Sequence, residues 1–181
     1  MAKVFRQQID EGILERAATL FARYGISQTS VQSVADAVGM SKAGLLHYFP
    51  TKDALHDAVV ARSEALAREV LAEVAGQSHG PARDRRAIEA LVDQAIARPG
   101  MVAYLVSSAG TDPDSGADRI NAAVFEAFGV DGDPERTVRV LGALGALSMT
   151  VLAAHRAGKA LPWRAHVLAT SVDALGHHTP D

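Results

Sequence analysis

The chain of 181 residues sets 18 lysines and arginines against 21 aspartates and glutamates, a formal net charge of -3. It has no cysteine, which excludes disulfide staples, thiolate metal sites and cysteine nucleophiles, and it leaves nothing that calls for an oxidising compartment. Its start, MAKVFRQQIDEG, holds no apolar core of signal-peptide length, and the longest apolar run, Val140 to Ala154, is shorter than the roughly 18 residues a membrane span needs. The expectation is a cytoplasmic protein without membrane contact, long enough for one substantial core or for one small domain plus a larger one. Charge is uneven: residues 1–52 hold six cations against four carboxylates, a net +2, and the remainder carries -5. That balance suits a chain that offers one end to nucleic acid. Residues 1–8 have Lys3 and Arg6 but no apolar repeat, and read as a mobile arm able to graze a minor groove or backbone. Ile13, Ala17, Leu20, Phe21 and Tyr24 then form one face of a support helix ended by Gly25, with the aromatics assigned to its core.

The stretch 29–52, TSVQSVADAVGMSKAGLLHYFPTK, organises the rest. Thr29 and Gln32 have the spacing of a capping box, and Val31, Val34, Ala35 and Val38 make a narrow apolar stripe about two turns long. Gly39 stops that helix in the left-handed conformation, with Met40 folding back on the core. Ser41 caps a second helix over roughly 42–49, whose inward residues are Leu45, Leu46 and Phe49 and which Pro50 terminates. Two short helices joined by a glycine-containing turn have the geometry that lays the second helix in a DNA major groove. Lys42, Ala43, Gly44, His47 and Tyr48 face outward; Gly44 costs about 1 kcal/mol of helix stability, for which close backbone approach to DNA or to another helix is a reason. Thr51 caps a third helix, and Lys52 in its first turn can join the helix N-terminus in holding a phosphate.

The run AVGMSKAGLLHYFPTKDAL, preceded by Phe21, Gly25 and the segment 29–34, resembles the signature of TetR-family transcriptional repressors over roughly residues 10–58. The resemblance implies an all-helical homodimer that binds a palindromic operator in double-stranded DNA and is released by a small molecule held in its C-terminal domain. By position it places Thr29, Gln32, Ser41, Lys42, His47, Tyr48 and Lys52 at the DNA. Leu46 stands where tyrosine is commoner, and Gly44 where threonine or serine is commoner.

A long amphipathic pattern through Leu55, Val59, Leu66, Val70 and Val74 predicts one helix joining head to body, a rod able to convert shifts in the body into movement of the recognition helix. Residues 76–83 read as loop. Ile88, Leu91, Val92, Ala95 and Ile96 mark a helix stopped by Pro99 and Gly100, followed by a short apolar helix over 101–109 and turn chemistry at 110–116. Ile120, Val124, Phe125 and Phe128 give the inward face of the next helix. Residues 138–154 are apolar almost all round, so both faces need cover, and Gly142, Ala143, Gly145 and Ala146 permit a close approach by a dimer partner. A last helix runs from near Pro162 through Leu168 and Val172 to Leu175, and 177–181 is tail.

The fold class expected is therefore all-α: a three-helix head with its helix-turn-helix in 1–52, and a helical ligand-binding and dimerisation domain in 53–181. Met101, Tyr104, Leu105, Ser108, Phe125, Phe128, Met149 and His155 are the candidate lining of a mostly apolar ligand site, weighed against ordinary core. Gly142, Gly145, Leu168 and Val172 are the candidate dimer contacts. No catalytic, metal or cofactor site is expected: there is no nucleophile elbow or phosphate-cradling loop, Ser107, His155 and Asp173 form a triad only on paper, and His177 with His178 has no third ligand nearby. A helical enzyme or an interaction module without DNA are the alternatives to a ligand-released repressor.

Overall fold

The computed structural model describes residues 2–108 and 118–177. Among the described residues every regular element is helical: α1 (Ala2–Tyr24), α2 (Val31–Ala37), α3 (Lys42–Tyr48), α4 (Lys52–Glu73), α5 (Pro81–Ala97), α6 (Pro99–Ser108), α7 (Asp118–Phe128), α8 (Pro134–Arg156) and α9 (Arg164–Ala174). The all-α expectation holds. Residues 2–8, expected as a mobile arm, are instead the first turns of α1, which begins at Ala2. The turn expected at 110–116, His178 and the rest of the tail lie outside the described residues.

The head is built on α1, whose Ile13, Ala17, Ala18 and Phe21 are buried against Val34 and Ala35 of α2 and Leu45 of α3. Gly39 ends α2 at a φ of +71°, and the two bonds of a Schellman stop follow: its N–H reaches the Asp36 carbonyl at 3.2 Å, and that of Met40 reaches Ala35 at 2.9 Å. The sharp turn read from the sequence is thus made as expected.

From Lys52 the rod α4 runs on into the body, burying Leu55 and Val59 at its head end and Leu66, Ala67 and Val70 farther on. Pro99, expected as a stop, is instead the first residue of α6, where its missing N–H costs nothing. Residue 80 closes the preceding loop three residues earlier than the sequence suggests, because Pro81 likewise starts α5.

The helix α8 buries Val140, Ala143, Leu144, Leu147 and Val151 against the rest of its own chain, chiefly α9, while Val138, Met149 and Leu152 are exposed. Cover is therefore complete on one side only. At 23 residues and a mean hydropathy of 1.6 over its most apolar window, α8 is long and apolar enough to cross a membrane by length and composition, which the shorter run read from the sequence is not.

Two buried charges tie helix ends together. The Arg83 guanidinium donates to the carbonyls of Val74 and Gln77 after α4, and to those of Glu126 and Ala127 at the end of α7, at 2.7–3.1 Å. Asp84, 1% exposed, pairs with Arg136 of α8 at 2.6 Å and lies 2.6 Å from His177 Nε2, so the first residue of the expected tail is held. Arg83→Met keeps the stem and leaves buried carbonyls without donors, each costing on the order of 1–3 kcal/mol. A stability loss of about 3 kcal/mol in urea unfolding is expected; a loss under about 1 kcal/mol would mean that water replaces the guanidinium.

Candidate nucleic-acid interface

Three short hydroxyl caps set the helix-turn-helix. Ser30 Oγ accepts from Ser33 N–H at 3.0 Å while Ser33 Oγ accepts from Ser30 N–H at 3.1 Å, a reciprocal capping box at the start of α2. Ser41 Oγ accepts from Gly44 N–H at 3.0 Å to start α3, and Thr51 Oγ1 accepts from Ala54 N–H at 3.0 Å to start α4. The box expected at Thr29 and Gln32 is thus displaced by one residue. Thr29 is 3% exposed and donates to the Gly25 carbonyl at 2.8 Å, closing the loop after α1, so its side chain does not face outward. Gln32 is exposed and donates to Asp36 Oδ1 at 2.7 Å, one turn along α2. A Ser-x-x-Ser pair beside a Thr-x-x-Gln pair is the signal available, and polarity alone does not choose between adjacent registers.

On α3 the structure places Ser41, Lys42, Ala43 and His47 at the surface, with Leu45 fully buried beneath. Tyr48 is half-buried, its ring 5.8 Å from that of His47 in an edge-on arrangement. A Cβ at Gly44 would meet Ser41 Oγ at 3.2 Å and Met40 Cε at 3.6 Å, so the neighbours of this glycine belong to its own turn and no other helix presses on it. Helix packing therefore does not account for Gly44. The outward surface is low and carries one ammonium, one imidazole and small side chains, a shape that can approach base edges closely.

Lys52 is differently engaged from the expectation. Its Nζ donates to the Ile26 carbonyl at 2.6 Å and lies 3.5 Å from that of Ser27, tying the loop after α1 to the start of α4, with Asp53 beside it in the first turn. A long cation beside a turn that presents its carbonyls is drawn to them before any phosphate arrives.

This arrangement has counterparts. The family model described as bacterial regulatory proteins, tetR family, matches residues 13–59, which take in most of α1, both helices of the motif and the start of α4. Over these residues the chain is similar to the N-terminal domain of TetR-family regulators. The transcriptional regulator RutR of Escherichia coli K12 is 40% identical over 50 residues, 28% of this chain and 24% of that protein. The repressor KstR2 of Rhodococcus jostii RHA1 is 40% identical over 48 residues, 26% of this chain and again 24% of the relative. The chain thus matches about a quarter of the length of these curated relatives. AmtR of Mycobacterium smegmatis is 26% identical with a TM-score of 0.52, covering 93% of this chain and 86% of that one. A TetR-like regulator from Rhodococcus sp. RHA1, 17% identical with a TM-score of 0.55 over 93% and 96% of the two chains, shares the fold.

Beyond the TetR-family domain, the expected ligand set is not gathered around one space. Met101, Tyr104, Leu105, Ser108 and Phe128 are buried core, and Phe125 is half-buried. Met149 is 69% exposed, on the side of α8 that faces away from its chain. His155 Nε2 lies 3.3 Å from the Ala95 carbonyl, Ser107 Oγ donates to Tyr104, and Asp173 is exposed, so the paper triad does not assemble. Tyr104 OH meets His56 Nε2 at 2.8 Å, with Phe21 edge-on to the imidazole; burial holds the His56 pKa down, although Asp57 and Asp53 push it up. A crevice of about 280 Å³ is lined by Met101 of that set together with Glu11, Glu15, Arg62 and Arg98, and one of about 270 Å³ lies away from the set, beside Glu69, Glu73, Arg86 and Asp93.

Of the expected dimer contacts, Gly142 and Gly145 open to space, with no atom within 4 Å of a Cβ at either. Leu168 and Val172 do not: both are buried in the core of their own chain, and α9 turns Ala165, His166, Ala169 and Thr170 outward instead. On a helix packed beside α8 the bulky apolar face is claimed by the nearer core.

Replacing Lys52 with methionine removes the tie between the α1 loop and α4. Urea unfolding should show a loss of about 1.5–3 kcal/mol, the range for a hydrogen bond from a charged donor; unchanged stability would show that the loop needs no such tie.

Proposed function

We propose that this chain is a dimeric, ligand-released transcriptional repressor that reads a palindromic operator with α3. The observation that carries this reading is the exposed face of α3, Ser41, Lys42, Ala43 and His47, presented by a turn whose every cap is internally satisfied. Apart from the Ser41 cap and the His47–Tyr48 ring contact, this face is turned away from the core. Lys42 meets a phosphate, His47 and Tyr48 reach toward base edges, and Gly44 lets the backbone come close. Gln32 supports the docked helix from α2, and Ser41 offers its hydroxyl beside the helix N-terminus. The domain division follows: residues 1–52 bind DNA, and 53–181 dimerise and hold the effector.

Dimerisation is supported by the open side of α8. Val138, Gly142, Gly145, Met149 and Leu152 follow one another at alternating spacings of four and three, the seam along which two helices pack. A second copy covers that seam and, by two-fold symmetry, sets two α3 helices on successive major grooves, about 34 Å apart. The effector, a small and mostly apolar molecule, is what the resemblance of the first domain to TetR-family repressors implies. Since Met101, Leu105 and Phe128 are close-packed, binding among them requires these side chains to part, which is how an occupant favours one conformation over another. A cytoplasmic location goes with DNA as partner.

Selection from a library of random duplexes with the full chain tests the reading: a palindromic sequence should be recovered, bound more weakly as salt rises. Lys42→Ala should make the slope of log affinity against log salt shallower by about one unit per half-site without changing the preferred sequence. Recovery of no common sequence would overturn DNA reading.

Met149→Glu puts two carboxylates against each other across the proposed seam. Sedimentation should show a monomer of unchanged helicity that has lost operator affinity at least about tenfold, as like charges at an apolar contact cost several kcal/mol. A Met149→Glu dimer would move the interface elsewhere.

A further inference from the structure

The helix α6 lacks a cap of its own. Pro99 opens it, and the residue before is Arg98, whose side chain has only donors to offer the orphan N–H groups of the first turn. The acceptor comes from the other end of the molecule. Glu15 of α1 takes the Gly100 N–H at 2.5 Å on one carboxylate oxygen and the Met101 N–H at 3.0 Å on the other. A carboxylate across a helix N-terminus is held both by directed bonds and by the helix dipole.

The fit is a backbone contact. A Cβ on Gly100 would stand 2.5 Å from the Glu15 carbonyl oxygen and closer still to Thr19 Oγ1, which donates to that same carbonyl at 2.9 Å. Glycine is required here by contact, since its φ is ordinary. The helix α6 is itself embedded among α4, α5 and α8, so whatever Glu15 grips is fixed to the body.

The head is otherwise joined to the body by α4, a continuous helix. A single rod sets distance but leaves rotation about its own axis lightly constrained. The contact of α1 with α6 lies off that axis, and with the His56–Tyr104 hydrogen bond it gives a second line of attachment. We infer that Glu15 is a positioning residue: by capping α6 it fixes the rotation of the head on the body, and so selects the spacing between operator half-sites. This rests on the proposed operator-binding dimer. One added base pair turns a half-site by about 34° and moves it by about 3.4 Å, which a fixed head does not follow and a swivelling head does.

The test uses the full chain and the palindrome recovered by wild type from random duplexes, remade with one base pair added or removed at its centre. Wild type should lose about tenfold or more in affinity for either altered duplex, the cost of misplacing base contacts. Glu15→Ala and Gly100→Ala, which respectively remove the cap and force α1 off α6, should lose less than about threefold while preferring the same half-site sequence. Glu15→Gln, which keeps one acceptor, should fall between. If Glu15→Ala melts lower yet keeps the wild-type spacing penalty, Glu15 is only a stabilising cap and the inference is overturned. It is overturned equally if Glu15→Ala does not fold and Gly100→Ala keeps that penalty. If wild type recovers no palindrome, the DNA-binding reading fails first and carries this one with it; a palindrome whose spacing all variants respect overturns the positioning role alone.

Discussion

Everything in the head depends on one face of α1. Seven-residue helices such as α2 and α3 are far below the length at which a helix persists in water, so they exist because Val34, Ala35 and Leu45 are buried against Ile13, Ala17 and Phe21. The caps at Ser30, Ser41 and Thr51 then decide where each helix begins, and the Gly39 stop decides the angle between two of them. The same α1 also touches the body, through Glu15 and Thr19 on another side. One helix therefore both builds the head and joins it to the body.

The elements whose information is local are legible in the sequence. The Schellman stop at Gly39, the Ser41 cap and the Thr51 cap need only residues within five positions of one another, and the structure makes each of them. The amphipathic pattern likewise identifies Leu45, Leu55, Val59, Leu66 and Val70 as core. What misleads are residues decided by distant partners. Thr29 reads as a cap that Ser30 in fact makes, because the Gly25 carbonyl claims its hydroxyl. Lys52 reads as a phosphate ligand, and nothing near it in sequence shows that its ammonium also reaches the Ile26 carbonyl. Pro99 and Gly100 read as a stop, since nothing nearby announces that Glu15, 85 positions earlier, caps a helix beginning there.

The same division explains the body. Periodicity shows that residues 138–154 are apolar around the helix, but it does not say which side meets its own chain. Met149, expected in an interior site, lies outside, while Leu168 and Val172, expected at a surface, lie inside. The two discrepancies are mirror images. A stripe rich in glycine and alanine is the less greasy side of α8, and the core of one chain takes the bulkier residues, Val140, Leu144, Leu147 and Val151. Within the proposed dimer, the small residues are left for a neighbour that can come close.

The four carbonyls gathered by Arg83 bear on how the molecule breathes. Two belong to the chain leaving α4, 9 and 6 positions before Arg83, and two to the end of α7, 43 and 44 positions after it. Fraying normally proceeds from each helix end separately, at little free-energy cost. With one rigid guanidinium spanning both ends, neither can loosen without stripping donors from the other, so amide exchange there should report a single opening event shared by α4 and α7. The far end of the rod that carries the reading head is thereby kept from melting back toward it.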